Sequence, residues 1–159
     1  YFEKYKNIWH HGDFAKITKT GGFVIFGRSD TTLNPGGVRL GTAEIYNVVE
    51  KFKEVKESIV VGQNWKNDIR ILLFIVLNEG FILTEKIKNK LKMEIRSKAS
   101  PRHVPSKILT IFEVPKTKNG KLVELAVKQT IEGEVIKNLE ALSNPDSLKQ
   151  FKNIKELNE

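Results

Sequence analysis

Asn34-Pro35-Gly36-Gly37-Val38-Arg39-Leu40-Gly41-Thr42-Ala43-Glu44-Ile45-Tyr46 is the stretch on which the reading of this fold turns. Its first four residues are dense in turn formers and cannot continue a regular element, so a boundary falls there. Beyond that boundary the apolar residues take up a helical period. Thr42 is placed to cap a helix with Glu44 in its first turn, and Ile45, Val48, Val49 and Phe52 share one face.

Upstream of the boundary the pattern is that of strands. Phe14–Ile17 and Phe23–Phe26 flank Lys19-Thr20-Gly21-Gly22, which predicts a hairpin. The small polar run Gly27-Arg28-Ser29-Asp30-Thr31-Thr32 leads out of it. Downstream, Ser58–Gly62 and Ile69–Leu77 read as strands. The second is apolar throughout apart from Arg70, and so belongs at the centre of a sheet. Thr84 can cap a helix with Ile87, Leu91 and Ile95 at spacing four. Pro101 and Pro105 bracket a loop, and Lys107–Phe112 is a third strand. Asn119-Gly120 makes a turn before a helix that carries Leu122, Leu125 and Ala126 and stops at Gly133. After Pro145, the residues Leu148, Phe151, Ile154 and Leu157 recur at spacing three, as in a short docking helix or a frayed end. Residues 31–133 therefore run helix, strand, strand, helix, strand, helix. The expected fold is α+β, a small domain with a roughly three-stranded sheet flanked by helices, preceded by a β-hairpin.

Composition narrows the function. The chain has 159 residues, 40% of them apolar and 29% charged, as a folded domain requires. It has no cysteine, which removes disulfides, thiolate catalysis and thiolate metal sites. No apolar run reaches the roughly 18–20 residues that span a bilayer. The first residues are Tyr1-Phe2-Glu3-Lys4, without an initiator Met or the core of a signal peptide, which leads us to expect a piece of a longer chain. A net charge of +8 fits a phosphate-bearing partner. The lysines, however, are mixed with glutamates along the whole length, with no arginine block and no basic–aromatic alternation. A solvated lysine-rich surface explains most of that charge.

Single motifs are weak taken one at a time. His10 and His11 are neighbours on an extended segment and point to opposite sides, so they do not chelate one ion; no metal site is expected. Asp13, after a glycine at a strand end, can accept from the two hydroxyls of a ribose, although taken alone a plain turn aspartate explains it better. Gly36 and Gly37 allow a ligand to approach the backbone closely, and Arg39 can fork onto phosphate oxygens. Lys116-Thr117-Lys118-Asn119-Gly120-Lys121 ends in Gly-Lys but has Pro115 and Leu122 where a Walker loop needs Gly and Ser or Thr. That leaves a lysine on a tight turn, a mobile cation able to reach an anionic centre.

Taken together and in order, residues 10–13, 27–46 and 115–121 resemble the C-terminal region of the AMP-forming acyl-CoA synthetases, within the adenylate-forming superfamily. The strings HHGDF, TTLNPGGVRLGTAEIY, NGKLVELAVKQ and NPDSL are most similar to the acetoacetate–CoA ligases of that family. The resemblance implies that residues 1–29 end an N-terminal adenylation domain, 31–133 form a C-terminal lid, and 134–159 a helical tail. It implies roles as well. Lys121 would be catalytic, bridging the α-phosphate and the substrate carboxylate. Asp13, Arg28 and Arg39 would bind nucleotide, Asp30 would be the hinge, and Gly36, Gly37 and Arg96 would face CoA. ATP (leaving as AMP), Mg²⁺ and CoA would be co-substrates of the whole enzyme, with acetoacetate as the acid and none of them expected on this piece alone.

The chemistry calls for such residues independently. Adenylation presses a carboxylate against a phosphate, and a cation between them lowers that barrier. The later attack of a thiol needs the cation gone and the thiol admitted, which calls for a two-state hinge. The phosphate loop, the adenine pocket and the acid pocket would lie in the N-terminal adenylation domain, the implied partner, so this piece is expected to be inactive alone. The resemblance implies a cytoplasmic enzyme with neither nucleic acid nor membrane as partner. Two other readings stand beside it: a ligase of another short- or medium-chain acid, and a small basic nucleic-acid-binding module, against which the ordered motifs speak.

Overall fold

A computed structural model of the chain describes residues 2, 5–29, 31–136 and 138–159. Its regular elements are β1 (Asp13–Ile17), β2 (Phe23–Arg28), α1 (Thr42–Val49), β3 (Val55–Trp65), β4 (Asp68–Leu77), α2 (Glu85–Lys98), β5 (Lys107–Thr110) and α3 (Glu124–Glu132). β1 and β2 form an antiparallel hairpin, and β3, β4 and β5 form a sheet with β4 in the middle. β3 pairs antiparallel to β4, whereas β5 pairs parallel to it after the crossover through α2.

β4 is apolar on both sides because both faces of its sheet are covered. Ile71, Leu73 and Ile75 point to one side and pack with Ile45, Val48 and Val49 of α1 and with Leu91 and Ile95 of α2. Leu72 and Phe74 point to the other and pack with Val127 of α3 and with Leu142, Leu148, Phe151 and Leu157 of the tail. The period of two along the strand separates the two cores. Arg70, the one charge in that run, lies at the strand's end. Its guanidinium sits 3.7 Å from the Trp65 ring centroid and donates to the carbonyls of Leu157 and Glu159, the latter at 3.0 Å.

The expected α+β order is found, with shifted edges. β3 is much longer than Ser58–Gly62, because Lys66 and Asn67 both take left-handed φ (+48° and +65°) and close a two-residue turn. β5 ends at Thr110, two residues before the expected Phe112. Thr42 is not a cap: the N-cap of α1 is Gly41, and Thr42 is buried as the first helical residue. Thr84 does cap α2, accepting from the Ile87 amide at 3.3 Å. Leu122 falls outside α3, in an isolated bridge to Lys116, while Gly133 ends the helix in the left-handed conformation. The tail docks rather than frays. It forms 3₁₀ turns over Pro145–Phe151 and Lys155–Leu157, and a helix of three residues per turn is what apolar spacing three fits.

Candidate active-site cleft

Lys121 sits on a loop whose shape is dictated by its own backbone. Lys116 and Leu122 pair as an antiparallel bridge. Inside it, the Thr117 amide donates to the Lys121 carbonyl and the Gly120 amide to the Thr117 carbonyl, both at 2.8 Å. The Lys121 amide donates to Thr117 Oγ1 at 3.1 Å. Gly120 has φ +75°, where a side chain is disfavoured, so the Asn-Gly pair serves the turn. Among the described residues nothing hydrogen-bonds or ion-pairs with Lys121 Nζ. Its ammonium is left to meet an anion.

Asp13 and Arg28 come from the hairpin, whose register sets them directly opposite each other on β1 and β2. Gly12, at φ +89°, lies under the Arg28 side chain: a Cβ built there would stand 3.7 Å from its Nη2. The Gly12 carbonyl accepts from the Ser29 amide at 2.7 Å, which holds the start of the hairpin to its end. His11 Nδ1 lies 2.5 Å from Asp13 Oδ2.

These two constructions meet. Asp13, Arg28 and Lys121 line one cleft of about 560 Å³. His11, Thr31 and Thr117 add polar groups to its rim, and Leu122, Leu125 and Ile136 supply apolar surface. Two cations, the Asp13 carboxylate and the Glu124 carboxylate (which accepts from Tyr46), around a partly apolar surface, suit a ligand that carries phosphate, vicinal hydroxyls and a flat apolar body.

Four other expected residues lie elsewhere. Gly36 and Gly37 turn with φ +58° and +76°, and the Gly36 amide donates to Asp68 Oδ1 at 2.8 Å. That bond, with a second from the Ile69 amide, holds the Asp68 carboxyl below the usual carboxylate range. Gly37 borders a separate hollow beside Trp65 and Lys66. Arg39 stacks 4.8 Å from the Phe14 ring centroid, and Arg96 stands exposed in the last turn of α2. None of the four lines the cleft. Asp30 lies outside the described residues. No cluster of three or more His, Asp or Glu among the described residues is placed to hold a metal ion.

Sequence reasoning missed several supports of the cleft. Tyr46 donates to Glu124 Oε1 at 2.5 Å and accepts from the Val60 amide at 3.0 Å, tying α1 to β3 and to the first turn of α3, which borders the cleft. Burial, reinforced by the Glu124 carboxylate, pushes the Tyr46 hydroxyl well above its ordinary pKa. Its signal was present: a tyrosine among buried positions needs a partner for its hydroxyl. Lys116 pairs with Glu57 at 2.6 Å, and Asn144 caps the Lys116 amide at 2.9 Å. Neither partner has any signature in the local sequence.

The sequence model of the AMP-binding enzyme C-terminal domain matches residues 44–121 and ends on the lysine of the cleft. Residues 44–121 are an AMP-binding enzyme C-terminal domain. Over 157 residues the chain is 54% identical to acetoacetyl-coenzyme A synthetase of Rhizobium meliloti, a match to 99% of this chain and 24% of that protein. The solved acetoacetyl-CoA synthetase of Streptomyces lividans superposes with a TM-score of 0.87 at 34% identity, over 100% of this chain and 24% of that one. An acyl-CoA synthetase of Brucella canis gives a TM-score of 0.60 at 25% identity, covering 75% of this chain and 22% of its own. The chain thus spans about a quarter of the length of the relatives it matches. The family match ends before α3.

Proposed function

We propose that this chain is the C-terminal piece of a cytoplasmic, AMP-forming acetoacetate–CoA ligase, and that its cleft is the lid side of the adenylation site. The observation that carries this reading is the meeting of Asp13 and Arg28, from the hairpin, with Lys121, from the far side of the AMP-binding enzyme C-terminal domain. The similarity to acetoacetyl-CoA synthetases over nearly the whole chain supports the choice of acid.

In the first half-reaction an acetoacetate oxygen attacks the α-phosphorus of ATP and pyrophosphate leaves. The Asp13 carboxylate accepts from the ribose hydroxyls, and Arg28 steadies the nucleotide from the same hairpin. Lys121 Nζ stands between the carboxylate and the α-phosphate, where its charge offsets the repulsion between two anions as they approach. In the second half-reaction the CoA sulfur attacks the acyl carbon and AMP leaves. That step needs Lys121 withdrawn, by rotation of 31–133 about Asp30 relative to 1–29. Gly36, Gly37 and Arg96 lie away from the cleft and are assigned to the CoA side of this motion, with Arg39 meeting the nucleotide phosphate as the lid swings. Among the described residues no cluster is placed to hold a metal ion, so Mg²⁺ would enter with ATP as a co-substrate and would supply neutralisation of the phosphate charge. The phosphate loop and the acid pocket belong to the N-terminal adenylation domain, and the piece is inactive without it.

Full-length enzyme carrying Lys121→Ala tests this division of labour. Acetoacetate-dependent ATP–pyrophosphate exchange should fall about 10³-fold or more, the scale of a single well-placed cation in phosphoryl chemistry. Thioester formation from supplied acetoacetyl-adenylate should stay near the unmodified rate. Equal loss in both half-reactions would overturn the role of Lys121, and exchange supported by butyrate but not acetoacetate would overturn the choice of acid.

A further inference from the structure

The loop that carries Lys121 is held from outside by the tail. The Lys116 amide donates to Asn144 Oδ1 at 2.9 Å. Asn144 Nδ2 donates to Glu113 Oε2 at 2.9 Å and to the Val114 carbonyl at 3.1 Å. One side chain therefore grips the strand-like approach to the loop at three points. The residues just before it continue the grip: the Ser143 amide and Oγ both donate to the Lys116 carbonyl, at 2.9 and 3.1 Å. Thr117 bridges Leu142, and the Lys118 amide donates to the Ala141 carbonyl at 3.0 Å.

This strap is itself anchored. Leu142 and Leu148 are buried in the core beneath the sheet, and Ser147 donates to the Asn144 carbonyl through both its amide (3.0 Å) and its Oγ (2.6 Å). Ala141 and Leu142 also line the cleft that Lys121 faces. The family match ends at residue 121, whereas the acetoacetyl-CoA synthetase of Streptomyces lividans matches the chain over its whole length, residues 141–144 included. The lysine lies inside the matched segment, and the clamp comes from the tail that follows it.

We propose that Asn144, at the end of the strap Ala141–Asn144, is a positioning residue for Lys121. It fixes where the lysine loop stands over the cleft and so acts on adenylation alone. This rests on the adenylating role proposed for Lys121. A lysine on a tight turn has one short backbone connection to the fold at each side, and the strap removes the freedom of the N-terminal one. A displacement near 1 Å of a reacting group costs on the order of 10²-fold in rate.

Full-length enzyme with Asn144→Ala should lose about 10- to 100-fold in ATP–pyrophosphate exchange with an unchanged KM for ATP. Its rate of thioester formation from supplied acetoacetyl-adenylate should stay within about three-fold, inside the effect of a single hydrogen bond. Equal loss in both half-reactions, or exchange at the full rate, would overturn the proposal. A merely structural role would lower both together with the melting temperature. Combining Asn144→Ala with Lys121→Ala should cost nothing beyond Lys121→Ala; an additive loss would refute coupling through the lysine. If Lys121→Ala itself leaves exchange intact, the reading of the cleft fails. If Lys121→Ala abolishes exchange while Asn144→Ala leaves it whole, only the positioning role fails. Should Asn144→Ala not fold, Ser143→Ala removes one bond to the same loop and should show the same split at roughly two- to ten-fold.

Discussion

Replacing Phe151 by alanine should destabilise this chain more than its place near the C-terminus would lead one to expect. Phe151 is fully buried, and its ring meets Phe74 of the central strand edge-on, with centroids 5.0 Å apart and planes at 84°. Removing a fully buried phenylalanine costs about 3–5 kcal/mol in lost transfer energy and cavity formation. The edge-to-face contact adds about 0.5–1.5 kcal/mol, and partial collapse of the 3₁₀ turns around the site recovers some of it. The expected net is about 4 kcal/mol, a large share of the roughly 5–15 kcal/mol that holds a domain folded. Equilibrium urea unfolding of the 159-residue chain measures it. At a slope of about 2 kcal/mol per molar, the midpoint should fall by about 2 M with the slope unchanged. Phe112→Ala is the control: that ring is 92% exposed, and its loss should stay within about 0.5 kcal/mol. A Phe151→Ala shift as small as the control's would mean the tail is not part of the core, and the anchoring of the strap at Asn144 would fall with it.

The buried Tyr46 hydroxyl and the exposed Asp68 carboxylate carry further expectations. Tyr46→Phe leaves the Val60 amide and Glu124 without their partner and should cost about 1–3 kcal/mol by the same unfolding measurement. Because the folded-state pKa of Tyr46 is raised, its contribution is fully present below the unfolded value near 10 and is lost as pH climbs above it. The unmodified chain should therefore weaken above about pH 10 and Tyr46→Phe less so; identical alkaline slopes would remove the cause we assign. Asp68 has the opposite sign. Its pKa is lowered by the Gly36 and Ile69 amides, so its hold on the glycine turn is complete above the unfolded carboxylate value and lost as pH falls through the folded one. In Asp68→Asn, amide exchange at Gly36 should speed up near neutral pH, with the rest of β3 and β4 unchanged, as read residue by residue in NMR.

Much of this architecture is legible from residues close to one another. The helix faces of α1 and α2, the Thr84 cap, the Gly133 stop and the all-apolar β4 each depend on neighbours within a turn or two of chain, where periodicity and turn chemistry act directly. The tail's spacing of three left a docking helix and a frayed end both open, and the structure has packed 3₁₀ turns there. The edges were less legible. The turn at Lys66-Asn67 lacks the usual glycine, and the cap before α1 went to Gly41 because Thr42 is buried in packing that no local rule describes. Asp13, Arg28 and Lys121 could be named from their motifs, but nothing local says that they share one cleft. That meeting depends on the cross-strand register of the hairpin and on the packing of α3 against the sheet. The ties Tyr46–Glu124, Lys116–Glu57 and Asn144–Lys116 are likewise invisible along the chain. Their members lie far apart in sequence, and each is determined by the strand order and the two covered faces of the sheet. Short-range order is written in spacing because backbone conformation depends on adjacent side chains; the site is not, because only the closed core brings distant segments to within hydrogen-bonding distance.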